Sequence, residues 1–211
     1  MQSQKHAENL RIHMKINARD HLEFLIANLE AFAREVQPLW HPLGFTSCVI
    51  REKIDGVTLR VHYWPPGERR TKNPDWPVHT HTYALSSLIL TGQIEDIQYQ
   101  AQEGDQHVVY QVLYKNGDSE ILKTKDGISI NDTKAEIRSA GDQYRVERGV
   151  FHQSRVAFNA SAVTLVAMSE FSDAPPLVLG KPGAMRYPYD RTPFCRDRFW
   201  YAVRDALASF E

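Results

Sequence analysis

Between Phe45 and Met168 the chain breaks into short segments of alternating polar and apolar residues, separated by turn signals. That period of two constrains the fold more than any other feature. Successive strand side chains point to opposite faces, and such segments spaced by Gly, Asn and Asp read as antiparallel strands. Asp55-Gly56 lies between Ser47–Lys53 and Val57–Trp64, and suits a primed hairpin turn. Thr91-Gly92 lies between His79–Leu90 and Gln93–Tyr99, and predicts a second hairpin. Lys115-Asn116-Gly117-Asp118 lies between His107–Tyr114 and Ser119–Thr124, and predicts a third. Further strands fit Ala135–Ser139, Gln143–Glu147, Gln153–Phe158 and Val163–Glu170. The fold class is therefore all-β, a barrel or jelly roll.

Helices flank this region. Asn17 caps a run in which Leu22, Leu25, Ile26, Leu29, Phe32, Ala33 and Val36 recur at helical spacing until Pro38. At the other end, Thr192-Pro193 supplies a cap and a first-turn proline for Phe199, Val203, Ala206 and Phe210. The map is an N-terminal helical segment over 1–44, a barrel over 45–170, and an extended segment with a C-terminal helix over 171–211. The apolar helical stripes need a surface, and the outside of the barrel provides one.

Charge excludes some partners. Lys plus Arg number 25 and Asp plus Glu 26, so nothing points to nucleic acid or an anionic membrane. The longest apolar runs are strand-sized. Met1–His6 opens no apolar leader, and the two cysteines, Cys48 and Cys195, make no disulfide framework. These readings predict a cytoplasmic chain whose partner is a small-molecule substrate. The barrel edges and amphipathic helices suit a homodimer.

The chemistry converges on three histidines. His79 and His81, read on one strand, share a face about 6.6 Å apart. Both imidazoles then reach one metal ion at about 2.0–2.1 Å per bond. Gly149-Val150-Phe151-His152 brings a third from another strand. On the strand before them, Arg60, His62 and Trp64 share one face and Val57, Leu59, Val61 and Tyr63 the other. The first set lines a pocket if its face points inward, though a half-solvated antiparallel strand favours the apolar face inward. Tyr83 has the parity of the histidines and suits a hydrogen bond to bound oxygen. Glu68-Arg69-Arg70-Thr71-Lys72 reads as a solvated loop beside His79.

Taken together, these motifs resemble the cupin superfamily, whose fold is a double-stranded β-helix or jelly-roll barrel. Pro77-Val78-His79-Thr80-His81 through Leu90-Thr91-Gly92 looks like its first motif. Gly141, Glu147, Gly149 and His152 fall at the positions of its second, with Glu147 where proline is usual. Leu85 and Ser86 stand where most metal-binding cupins add a glutamate. A three-histidine set of that kind is similar to the thiol dioxygenases, which use Fe(II). The resemblance implies Fe(2+) as cofactor, with Zn, Ni or Mn as alternatives, and an oxidoreductase acting on a small thiol or amino-acid derivative. It also places Arg51 where those enzymes hold a substrate carboxylate, a role suited to a planar guanidinium. The chain lacks their Cys-Tyr crosslink near Ser86. It also lacks their Ser-His-Tyr relay, since His152 is its last histidine. A redox-silent metal isomerase, lyase or hydrolase, and a non-catalytic ligand-binding cupin, are the rival readings.

Overall fold

The computed structural model describes residues 16–115 and 118–210. The readings of Met1–His6 and of the Asn116-Gly117 turn fall outside them. A 3-10 turn at Ala18–His21, capped by the Asn17 side chain on the Arg19 N–H, leads into helix α1 (Leu22–Glu35). Then follow β1 (Leu39–Trp40), β2 (Thr46–Ile54), β3 (Val57–Trp64), β4 (Ala84–Thr91), β5 (Gln93–Lys115) and β6 (Asp118–Ser139). After these come β7 (Gln143–Val146), β8 (Phe151–Arg155), β9 (Ala162–Ser169), β10 (Leu177–Gly180), β11 (Arg186–Pro188) and helix α2 (Arg196–Ala208).

The strands form two antiparallel sheets. One has the order β1-β2-β3-β9-β4-β7; the other runs β10-β5-β6-β11, with β8 also paired to β5. This is the jelly-roll, double-stranded β-helix architecture expected of the cupin fold. The Asp55-Gly56 turn joins β2 and β3 as a hairpin, with φ of 52° and 77° at its two residues, the primed conformation. Thr91-Gly92 makes no hairpin. β4 pairs with β7 and β9, and β5 with β6, β8 and β10, so this turn is a corner where the chain leaves one sheet for the other. β5 and β6 pair as one long hairpin, absorbing strands that the sequence reads as separate. The tail after residue 170 also joins the sheets. β10 aligns on β5 and β11 on β6, so the barrel extends past the expected boundary.

Both helices cover the outside of the six-stranded sheet. Leu25 of α1 and Phe199, Trp200, Val203 and Ala206 of α2 pack on Val57, Leu59, Val61 and Tyr63 of β3 and on Val163, Leu165 and Ala167 of β9. Phe24 takes part in this packing, while Ile26, assigned to the same stripe by its spacing, is exposed. The Trp200 indole donates to the Val36 carbonyl at 3.2 Å, which ties the helices together. α2 begins at Arg196, later than Thr192-Pro193 predicts, and Cys195 at its N-cap makes no side-chain cap. Because helices occupy that side, the apolar face of β3 turns outward to meet them. The opposite face, with Arg60, His62 and Trp64, points into the barrel, against the half-solvated expectation. No helix among the described residues is long and apolar enough to cross a membrane.

Candidate metal centre

Backbone pairing, not a regular strand, positions His79 and His81. The segment Val78–His81 threads between β8 and β10. The His79 N–H donates to the His152 carbonyl at 3.0 Å, and the His152 N–H returns the bond at 2.9 Å. On the other side Leu179 N–H donates to Val78 O at 2.9 Å and Thr80 N–H to Leu177 O at 2.8 Å. The chain then bends at Thr82-Tyr83 and enters β4 in the opposite sheet. The single strand expected from His79 to Leu90 is thus two pieces, because the metal-site segment and β4 belong to different sheets.

The three imidazoles converge. Their ring centroids lie 4.6–4.9 Å apart, and one nitrogen from each falls within 4.8 Å of the others. His152 Nε2 and His81 Nε2 are 2.9 Å apart. Two neighbouring ligands on one ion, each at about 2.1 Å, are separated by about 3 Å. His79 Nδ1 lies 2.8 Å from the Pro77 carbonyl, which only accepts, so Nδ1 carries the proton and Nε2 is left to coordinate. Burial lowers the pKa of all three, keeping them neutral, as ligation requires. The donor set therefore fits a divalent metal ion.

Beside the triad lie two small neighbouring cavities of about 60 and 70 Å³, which share His41, Leu43, Arg60, His79, His81 and Tyr83 as walls. They are well under the few hundred Å³ of a drug-sized site. Tyr83 stacks on His81 with centroids 4.8 Å apart and planes 17° apart, and it packs on Phe171. His62 sits against Phe45 and Trp64, at 4.9 and 5.9 Å. His41, Tyr114, Tyr144, Tyr189 and Arg191 also line the cavities. None of these carries a motif that marks it in the sequence. Neither lining contains an aspartate or a glutamate.

Arg51 is a correction. The register of β2 on β3 runs Cys48 to Val61 and Val49 to Arg60, then slips so that Arg51 faces Leu59. This bulge at Ile50 turns Arg51 to the helix side. There its guanidinium lies over the Phe24 ring at 4.9 Å, with Nη2 3.3 Å from His21 Nδ1. It lines neither cavity and cannot hold a ligand beside the histidines. The Glu68–Lys72 loop is also less free than its composition implies. Arg69 donates to the carbonyls of Pro65, Ala157 and Ala160, and Glu68 pairs with Arg198 at 3.0 Å. Cys48 is buried, which pushes its thiol well above the usual range, and Cys195 is exposed.

Burial, helped by Arg60 and Arg191, pushes His62 down to about 3. In the unfolded chain it titrates near 6.5. The folded state refuses a proton that the unfolded state accepts. The associated stability is complete above pH 6.5 and is lost as pH falls toward 3, at up to about 1.4 kcal/mol per pH unit. Thermal melts at pH 7 and pH 5 should show His62→Phe losing less stability than wild type, by up to about 2 kcal/mol. Equal losses would mean that His62 protonates in place.

No protein-family model matches the chain, and no curated protein matches it. Among solved structures it is similar to a cupin-like protein from Thermotoga maritima, at 14% identity and TM-score 0.38, covering 65% of this chain and 77% of that one. A conserved protein with a double-stranded β-helix domain from Klebsiella pneumoniae matches at 13% and TM-score 0.37, over 72% and 95% of the two chains. Hydroxypropylphosphonic acid epoxidase from S. wedmorenis matches at 16% and TM-score 0.37, over 64% of this chain and 55% of its own. The likeness is in fold alone, the antiparallel double-stranded β-helix that the strand order describes.

Proposed function

We propose that this chain is a metal-dependent cupin oxidoreductase, an Fe(II) dioxygenase acting on a small polar molecule. The donor set carries this reading: three neutral imidazoles, one buried and two half-buried, converge at the wall of a cavity, and no carboxylate joins them among the described residues. Imidazole suits iron, zinc, copper and nickel, and three neutral ligands leave a divalent ion its whole charge. When bound, the ion supplies that charge and open positions at which a substrate donor and O2 meet. The protein's residues do the rest. The Pro77 carbonyl fixes the tautomer and tilt of His79. Phe45, Trp64, Leu85 and Met168 form an apolar wall that keeps bulk water from the reacting atoms. Tyr83, stacked on His81, would hydrogen-bond an oxygen there. The cavity size limits the substrate to a small molecule.

The test is oxygen consumption by untagged protein reloaded with Fe(II) without air, against small thiols, amino acids and hydroxy acids. Uptake that needs both iron and one substrate class is the expected result. Zinc or nickel in the purified protein, with no uptake after iron loading, would move the assignment to a redox-silent isomerase, lyase or hydrolase. Failure to bind any metal would leave a ligand-binding cupin.

A further inference from the structure

The cavity beside the triad carries positive charge with no acid to balance it. Arg60 enters from β3 and Arg191 from the segment after β11, and both line the same cavity as His79 and His81. Among the described residues, neither guanidinium has a hydrogen-bond or ion-pair partner. Other arginines of this protein find acids. Arg145 lies 2.9 Å from Glu147 and 2.5 Å from Glu170, Arg186 2.6 Å from Glu120, and Arg204 2.9 Å from Glu30. Arg60 and Arg191 are half-buried and face the cavity. Burial, and then the charge of Arg60, hold Arg191 below its usual pKa, so the two cations feel each other. A guanidinium presents five donors and no acceptor. Removing two of them from water side by side is costly unless an anion completes the site.

We propose that Arg60 and Arg191 form a two-point clamp for a small dianion, either a dicarboxylate or a phosphonate, held beside the three histidines. The clamp deepens the metal-enzyme reading by naming its substrate class, and only the orientation of the ligand toward the ion rests on that reading. Guanidinium forks match carboxylate and phosphonate oxygens alike, and two unpaired positive charges call for two negative ones. Arg60 stands on a strand fixed on both faces, whereas Arg191 comes from a proline-bounded tail. The first holds the anion from the strand wall and the second from the facing tail.

Calorimetric titration tests the clamp on full-length protein, once stripped of metal and once loaded with redox-inert Zn(II), in low salt. The probes are succinate, its monoamide, its diamide, and methylphosphonate. Succinate or methylphosphonate should bind to both forms at least about tenfold more tightly than the monoamide, and the diamide should give no heat. The tighter of the two dianions names the acid type. Arg60→Gln and Arg191→Gln should each weaken dianion binding by about ten- to a hundredfold. The corresponding lysine variants should recover part of the loss, and Arg51→Gln should change nothing. Thermal melts guard against misfolding: without ligand, Arg191→Gln should melt no lower than wild type, since it removes an unpaired charge. Equal affinity for dianion and monoamide, or full affinity in both glutamine variants, would overturn the clamp. Dianion binding by a protein that takes up no metal would sustain the clamp and overturn the metal reading. Metal binding without discrimination among the probes would do the reverse.

Discussion

His152→Ala is expected to strip the protein of metal while the barrel stays folded. His152 supplies one of three nitrogens that converge within 4.8 Å, and its ring is almost wholly buried. Changing a group that only supports a metal ligand typically costs 10–100-fold in affinity. Removing the ligand itself should cost at least about a hundredfold, and His79→Ala and His81→Ala should behave alike. The fold should survive because the two bonds between His79 and His152 are backbone bonds, which alanine keeps. The main core lies elsewhere, between β3, β4, β9 and the helices. Competition with a chromophoric chelator reads the affinity, and far-ultraviolet circular dichroism reads the fold. A variant that keeps full metal occupancy would remove that histidine from the centre.

Gly92→Ala is expected to cost about 3 kcal/mol of stability. Gly92 turns the corner between the sheets at a φ of +81°, a region costly for residues with a Cβ. A Cβ there would run into the Ser161 carbonyl oxygen and lie 2.9 Å from the Ala162 Cα, both on backbone at the start of β9. Strain of about 1 kcal/mol adds to an overpacking cost of about 1–3 kcal/mol. The melting temperature should fall by roughly 6–12 °C in a chain of this length. Gly56→Ala is the control. Its φ is +77°, but nothing lies within 4 Å of an added Cβ, so it should lose only about 1 kcal/mol. Equal losses at the two glycines would mean that the corner has room.

The histidine constellation was legible because it is local. The His-x-His spacing and Gly149-Val150-Phe151-His152 are written in a few residues, and Gly141 and Gly149 take positive φ around β7 as turns require. The Asp55-Gly56 hairpin was legible for the same reason. What was hidden depended on distant parts of the chain. Nothing near Arg51 announces the bulge that turns it outward. The inward face of β3 is decided by helices at both ends of the sequence, which cover the other face. Arg191 sits in a tail without periodicity, brought to the cavity because β10 and β11 pair with strands far upstream. His41 has no motif of its own and reaches the cavity by stacking on Phe45, with centroids 4.4 Å apart.

The double burial of β3 bears on how a protein of this design can change its ligand over generations. Arg60, His62 and Trp64 cannot be exchanged freely, because the residues between them anchor the helices and a shift of the strand would disturb both layers at once. The tail from Pro176 to Arg191 forms the facing wall, and it is held largely by backbone bonds to strand edges that tolerate many side chains. New ligand preferences would therefore arise most readily through substitutions in the tail, while the strand wall preserves the chemistry already in place.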